Sequence, residues 1–222
     1  MQPSVVQLRH EQVYTCLTAI FSVLIIIGNF LYQKFVCLPL GFCTFELSCG
    51  VLTYPATFFI TDLIAEFYGK QRARFTVKLG IALSIMVVAI VSLATSLQPT
   101  KWCLKISEEF DHVFGFFGIA FGCSLVAAYC SQWLDVLIYL SLKKLTAGKF
   151  LGVRNFVSTS ISLFVDTFIV LSLMTLLGVI PLSQYHNLIF QSFGFKLSFA
   201  IFAVPVFYGT VKILRKYLAL PQ

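Results

Sequence analysis

Apolar residues in this chain come in runs broken by short polar clusters, and six of the runs reach the roughly 20 residues that a helix needs to cross about 30 Å of hydrocarbon. They place helices at residues 13–34, 45–68, 75–97, 112–142, 155–180 and 188–214. Polar Arg9, His10 and Glu11 precede the first run, and no small-residue cleavage site follows it at signal-peptide spacing, so it reads as a retained helix. The connection at residues 98–111 holds Pro99, Trp102 and an acidic cluster and reads as a solvated loop, with a short interfacial helix as the alternative. No linker, low-complexity segment or internal repeat divides the chain, so residues 1–222 form one domain. The expected fold is an all-α integral membrane protein of six transmembrane helices.

Composition agrees: 59% of residues are hydrophobic and 11% charged, where soluble domains carry about 25% charged residues. The membrane part must therefore perform the function itself. The net charge of +7 follows topology rather than a nucleic-acid surface. Arg9, Lys70, Arg72, Arg74, Lys78, Lys143, Lys144, Lys149, Arg154, Lys212, Arg215 and Lys216 all fall on one side, while Lys34, Lys101, Lys105 and Lys196 fall on the other with Glu108, Glu109 and Asp111. The positive-inside rule then puts both termini in the cytoplasm.

Apart from Glu46 at the very start of the second, four carboxylates lie inside the expected spans, at about 2.5 to 3.5 kcal/mol each on insertion scales. Asp62 and Glu66 are one turn apart on one helix face. They suit either an ion-pair network with Arg72, Arg74 or Arg154 that fixes the helix end, or a ligand or coupling-ion site. In the fifth helix Asn155, Thr159, Ser162 and Asp166 draw a polar stripe towards mid-membrane. Interhelical hydrogen bonding or a polar cavity accounts for it; exposure to lipid does not. The fourth helix adds Gln132 and Asp135, with Tyr129 and Tyr139 on neighbouring turns. Carboxylates, amides, hydroxyls and rings in one pocket suit a planar heterocycle with adjacent N–H donors, such as a guanine-like edge. A metal or proton pathway would use similar residues.

The seven cysteines form no CxxC pair or Cys/His cluster. Cys37, Cys43, Cys49 and Cys103 lie near the outer face, where free thiols are expected over a disulfide. No metal, redox centre or other cofactor is expected. Gly28, Gly115, Gly118 and Gly122 would allow close helix contact, in a homodimer or within one chain. Residues 62–74 superficially echo the DxxDGxxAR pattern of lipid-head-group phosphatidyltransferases, but Glu66 follows Asp62 by four residues and no acid follows Gly80 in the third helix. GxSxG and HExxH are absent as well, so an enzyme is not expected.

The stretch GVLTYPATFFITDLIAEFYGKQRAR at residues 50–74 resembles the signature of the queuosine precursor transporter family, also called the vitamin uptake transporter family. The resemblance continues through SQWLDVLIYLSLKK (131–144), GVRNFVSTSISLFVDTFI (152–169) and FKLSFAIFAVPVFYG (195–209). It implies an inner-membrane importer of 7-deazaguanine bases, queuine or its bacterial precursors, for tRNA modification. The implied fold is similar to the substrate-binding subunits of energy-coupling-factor transporters. The matching polar positions are Asn29, Asp62, Glu66, Arg72, Arg74, Gln132, Asp135, Arg154, Asn155, Ser158, Thr159, Asp166, Thr167, Lys196 and Tyr208. Of these, Gln132, Asp135, Asn155, Thr159, Asp166, Asn29 and Lys196 are the expected substrate ligands, with Asp62, Glu66, Arg72, Arg74 and Arg154 serving gating or coupling. The chain has no GxxxxGK[ST] loop, so the alternative, a capture subunit for a vitamin-like molecule, needs a separate ATPase module.

Overall fold

A computed structural model describes residues 5–32, 34–40, 43–114 and 117–218. Helix α1 (Val5–Leu31) leads into an antiparallel hairpin of β1 (Phe35–Leu40) and β2 (Cys43–Ser48), with Phe35 opposite Ser48. A 3₁₀ turn (Cys49–Leu52) precedes α2 (Tyr54–Ser96), and α3 (Leu104–Phe114), α4 (Phe117–Leu145), α5 (Leu151–Leu176) and α6 (Leu182–Tyr217) follow. With 27 residues in α1 and 26 in α5, each is about 40 Å long at 1.5 Å per residue, enough to span a bilayer.

The second helix does not begin at Phe45. Residues 45–53 are strand and 3₁₀ turn, because the Ser48 side chain accepts from the Gly50 N–H to cap that turn, and Pro55 in the first turn of α2, needing no N–H partner there, starts the helix. A run of apolar residues does not by itself separate strand from helix. The first arm of α2, residues 54–68, is consequently only about 22 Å long.

Gly69 ends that arm at φ 76° and ψ −175°, a conformation that side chains with a Cβ rarely adopt. The chain reverses there. Gly28 of α1 faces Thr53 and Gly50 while the Tyr68 hydroxyl reaches the His10 carbonyl, so α1 and the first arm are antiparallel. On the second arm the order inverts, with Tyr14 against Arg72, Thr18 against Thr76 and Phe21 against Gly80. One glycine replaces the expected connection at residues 69–74, because Lys70, Gln71, Arg72 and Ala73 are good helix formers that carry the second arm straight on. A Cβ at Gly80 would lie 2.6 Å from the Phe21 ring, so that close approach requires glycine.

The expected fourth helix at 112–142 divides into α3 and α4. Helix α3 has no buried residue, and its residues 104–111 are helical where a solvated loop is the first expectation for the 98–111 connection. Helices α5 and α6 each begin before the expected residue, at Leu151 and Leu182. Gly28 packs within the chain, whereas Gly122 meets nothing within 4 Å; Gly115 lies outside the described residues. Cys37, Cys49 and Cys103 are free thiols.

Polarity is inverted relative to a water-soluble domain. Ile90 and Phe202 are 58% and 75% exposed, while Asp62, Gln132 and Asp135 are 0% exposed. Hydrocarbon solvates the first pair, and the ionisable groups turn inward because lipid offers no hydrogen bonds. This is a multi-pass integral membrane protein of all-α class, with one short hairpin at the end of the bundle opposite both termini.

Candidate functional site

Four helices supply one buried polar column. The first arm of α2 presents Tyr54, Thr57, Thr61, Asp62 and Glu66, α4 presents Ser131, Gln132, Asp135 and Tyr139, α5 presents Arg154 to Asp166, and α6 presents Lys196. Spacings of three and four residues keep each set on one helix face.

At the end where the basic residues gather, Glu66 holds three cations from three other helices. Its carboxylate lies 2.9 Å from Lys143 Nζ of α4, 3.4 Å from Arg154 Nη2 of α5 and 3.4 Å from Arg215 Nη2 of α6. The Tyr139 hydroxyl donates to it at 3.0 Å, and Lys143 also donates to the Glu66 carbonyl at 2.9 Å. Arg154 is buried, and its Nε and Nη1 have no hydrogen-bond partner. Of the basic residues expected to meet this helix end, only Arg154 does. Arg72 pairs with Glu11 at 2.6 Å and lies over the Tyr14 ring, and Arg74 lies over Trp133.

One turn further in, Asp62 stands apart from Glu66. Its Oδ2 accepts from Asn155 Nδ2 at 2.6 Å and from the Thr159 hydroxyl at 3.4 Å. Asp135 lies beside Asp62, Ser158 and Ser162. Neither Asp135 oxygen, nor Asp62 Oδ1, has a hydrogen-bond partner of good geometry. The two carboxylates thus face each other and the Ser158 and Ser162 hydroxyls deep in the bundle, a buried acidic pair whose contacts are poorly aligned. Gln132 is satisfied at both ends of its amide, donating to Thr57 at 2.8 Å and accepting from Thr61 at 2.9 Å.

Towards the hairpin end, Lys196 Nζ pairs with Asp166 Oδ2 at 2.8 Å and donates to Thr167 at 3.0 Å, both charged side chains being 4% exposed. Hydropathy had counted Lys196 with the outer connections; it is buried because Asp166 is its partner. Ser131 donates to Asp166 Oδ1 at 3.4 Å, and Asn29 accepts from Ser124. Tyr129, expected to face inward, is 40% exposed, and Tyr208 is 48% exposed beside Gly152.

Sequence reasoning missed Lys143 and Arg215, which it counted only as topology markers, and Thr57 and Thr61, which the i, i+4 rule finds once Gln132 is known to face them. Two cavities of about 10 Å³ flank the column, one against Asn155, Thr159 and Phe199, the other against Tyr54, Asp166 and Lys196. Each has room for about one water, so a bicyclic ligand enters only when helices part. Among the described residues no group of His, Cys, Asp and Glu has the arrangement of a metal site.

A family model described as "Putative vitamin uptake transporter" matches residues 48–210, a range that contains the whole polar column except Asn29 and Arg215. The chain belongs to the vitamin uptake transporter family. Two relatives of this family member, each named "Probable queuosine precursor transporter", come from Bacillus subtilis (strain 168) and Haemophilus influenzae (strain ATCC 51907 / DSM 11121 / KW20 / Rd). The first is 28% identical over 169 residues, covering 75% of this chain and 72% of the relative; the second is 30% identical over 179 residues, covering 78% and 72%. No solved structure matches, so the likeness to energy-coupling-factor subunits gains no support from known folds.

Proposed function

We propose that this protein is an inner-membrane transporter that imports 7-deazaguanine precursors of queuosine, either queuine or the bacterial precursor bases, for tRNA modification. The observation that carries the reading is the buried convergence of Asp62 and Asp135, three of whose oxygens lack a well-aligned hydrogen-bond partner. Such a set calls for a ligand rich in adjacent N–H donors, and the amino and ring N–H groups of a deazaguanine supply them in the plane a carboxylate prefers. The names of the two relatives point to the same class of molecule.

In this reading Asp135 takes the two parallel hydrogen bonds and Asp62 the remaining donor, with Asn155 and Thr159 holding Asp62 in place. Asp62 thereby moves from the gating group to the base-binding one. Gln132 reads the base carbonyl after releasing Thr57, and Glu66 with Arg154 forms the inner gate. Both termini face the cytoplasm, because the basic end of the bundle carries them. Transport, not catalysis, is the activity.

The test is competition uptake of a labelled base in a transport-deficient host, with queuine, its two bacterial precursors and guanine as competitors. Uptake competed by the deazaguanines and lost in Asp135→Asn is the expected result. Normal uptake by that variant overturns the assignment of Asp135, and competition by none of the four bases overturns the substrate class.

A further inference from the structure

The column contains a second polar cluster that the Asp62 and Asp135 chemistry does not use. Along α5 it is seven residues from Thr159 to Asp166, about 10 Å, and along α2 eight residues from Tyr54 to Asp62, about 12 Å. One purine-sized ring system cannot place its hydrogen-bonding edge on both. The outer cluster is itself a built site. Tyr54, Asp166, Lys196, Ser124 and Tyr32 line its cavity. The Asn29 Nδ2 amide has no hydrogen-bond partner and the Tyr54 hydroxyl meets Asp166 and Ser131 only in poor alignment, on residues 2% and 6% exposed. Asn29 Oδ1 is held by Ser124, which leaves its amide N–H groups as donors beside the cavity wall. The Lys196 ammonium lies 5.2 Å over the Tyr54 ring and is already neutralised by Asp166.

The inventory is complementary to that of the inner cluster. The inner cluster offers carboxylate acceptors; the outer one offers an amide donor and a weakly held hydroxyl donor, an ion pair with no net charge and two phenol rings. A neutral flat heterocycle presenting a carbonyl or ring nitrogen satisfies those donors while stacking on a ring. A cation gains little there because Lys196 already occupies the carboxylate.

We infer that the Tyr54, Asn29, Asp166 and Lys196 cluster is a second, outer subsite, which receives the neutral base by its acceptor edge before the base moves inward and turns its donor edge to Asp135. The inference rests on the carrier reading above. Passage between subsites requires the Tyr54 and Thr57 turn of α2 to slide past α4, which breaks the Thr57 and Thr61 contacts to Gln132.

Equilibrium binding of labelled queuine to the purified full chain in lipid nanodiscs tests it. The expected result is two molecules bound per wild-type chain at saturation and one per Asp135→Asn chain. Tyr54→Phe, which removes only a hydroxyl and leaves the packing intact, should weaken the outer event by about five- to tenfold and leave the inner one unchanged. Residual binding in Asp135→Asn also shows that this variant is folded. A single bound molecule, lost in Asp135→Asn and indifferent to Tyr54→Phe, overturns the outer subsite and leaves the carrier reading standing. A single molecule weakened by both variants overturns it too, since one ligand would then touch both clusters. No binding to wild type overturns the carrier reading and this inference together.

Discussion

Replacing Glu66 by Gln removes the one negative charge that three cations share. The three pairs are not equal. The Lys143 and Arg215 side chains are 31% and 40% exposed, so each pair is screened and contributes about 0.2 to 1 kcal/mol. Arg154 is 1% exposed, and leaving its guanidinium buried without a counter-charge costs about 3 to 5 kcal/mol. The Arg154 contact therefore dominates despite its 3.4 Å length. At about 2 to 4 °C per kcal/mol for a chain of this size, Glu66→Gln should lower the unfolding temperature of the purified protein in detergent by roughly 6 to 20 °C. Lys143→Met and Arg215→Met should each lower it by at most about 4 °C. Thermal unfolding followed by intrinsic tryptophan fluorescence measures all three. Equal small shifts for the three variants would refute the reasoning, because Glu66 would then be no anchor for a buried charge.

Further outcomes follow from single contacts. Lys196→Met should destabilise the fold by about 3 to 5 kcal/mol by stranding Asp166, and Asp166→Asn added to it should recover much of the loss; a double variant no better than the single one contradicts this. Gly69→Ala forces a Cβ into a left-handed backbone with nothing within 4 Å to clash, so its cost is the backbone strain alone, about 1 to 3 kcal/mol in the same unfolding assay. Gly80→Val should cost more, since its Cβ meets Phe21 at 2.6 Å, and Phe21→Ala in the same chain should relieve part of it. Exposed Cys37 on the hairpin should react with a membrane-impermeant maleimide added outside intact cells; protection there combined with labelling in inverted vesicles contradicts the orientation.

The sequence made the membrane class and the α5 stripe legible, because insertion into hydrocarbon constrains length and polarity residue by residue. It predicts six crossings, and among the described residues five helices are long and apolar enough to cross a membrane. Asn155, Thr159 and Asp166 face the column as their spacing requires. The hairpin was not legible. Residues 35–38 fell in an expected connection and residues 45–48 in the expected second helix, and their register depends on pairing across a turn that hydropathy does not see. The reversal at Gly69 was hidden for the opposite reason, since a charged stretch reads as a loop although its residues favour helix.

Within the site, the difficulty was a single turn. Asp62 and Glu66 are about 6 Å apart along one helix, and from sequence they look like one feature. The three cations that claim Glu66 and the amide that claims Asp62 come from other helices, so only tertiary packing separates the ion-paired carboxylate from the one held by an amide. Lys196 shows the same limit, since its burial depends on Asp166, thirty residues earlier on α5.

Transport by the purified chain in proteoliposomes tests the central claim most directly. Saturable uptake of labelled queuine, competed by its two bacterial precursors and lost in Asp135→Asn, is the predicted result. Uptake that persists undiminished in Asp135→Asn, or that appears only when nucleotide-binding subunits and ATP are supplied, would contradict a self-sufficient carrier built around the buried column.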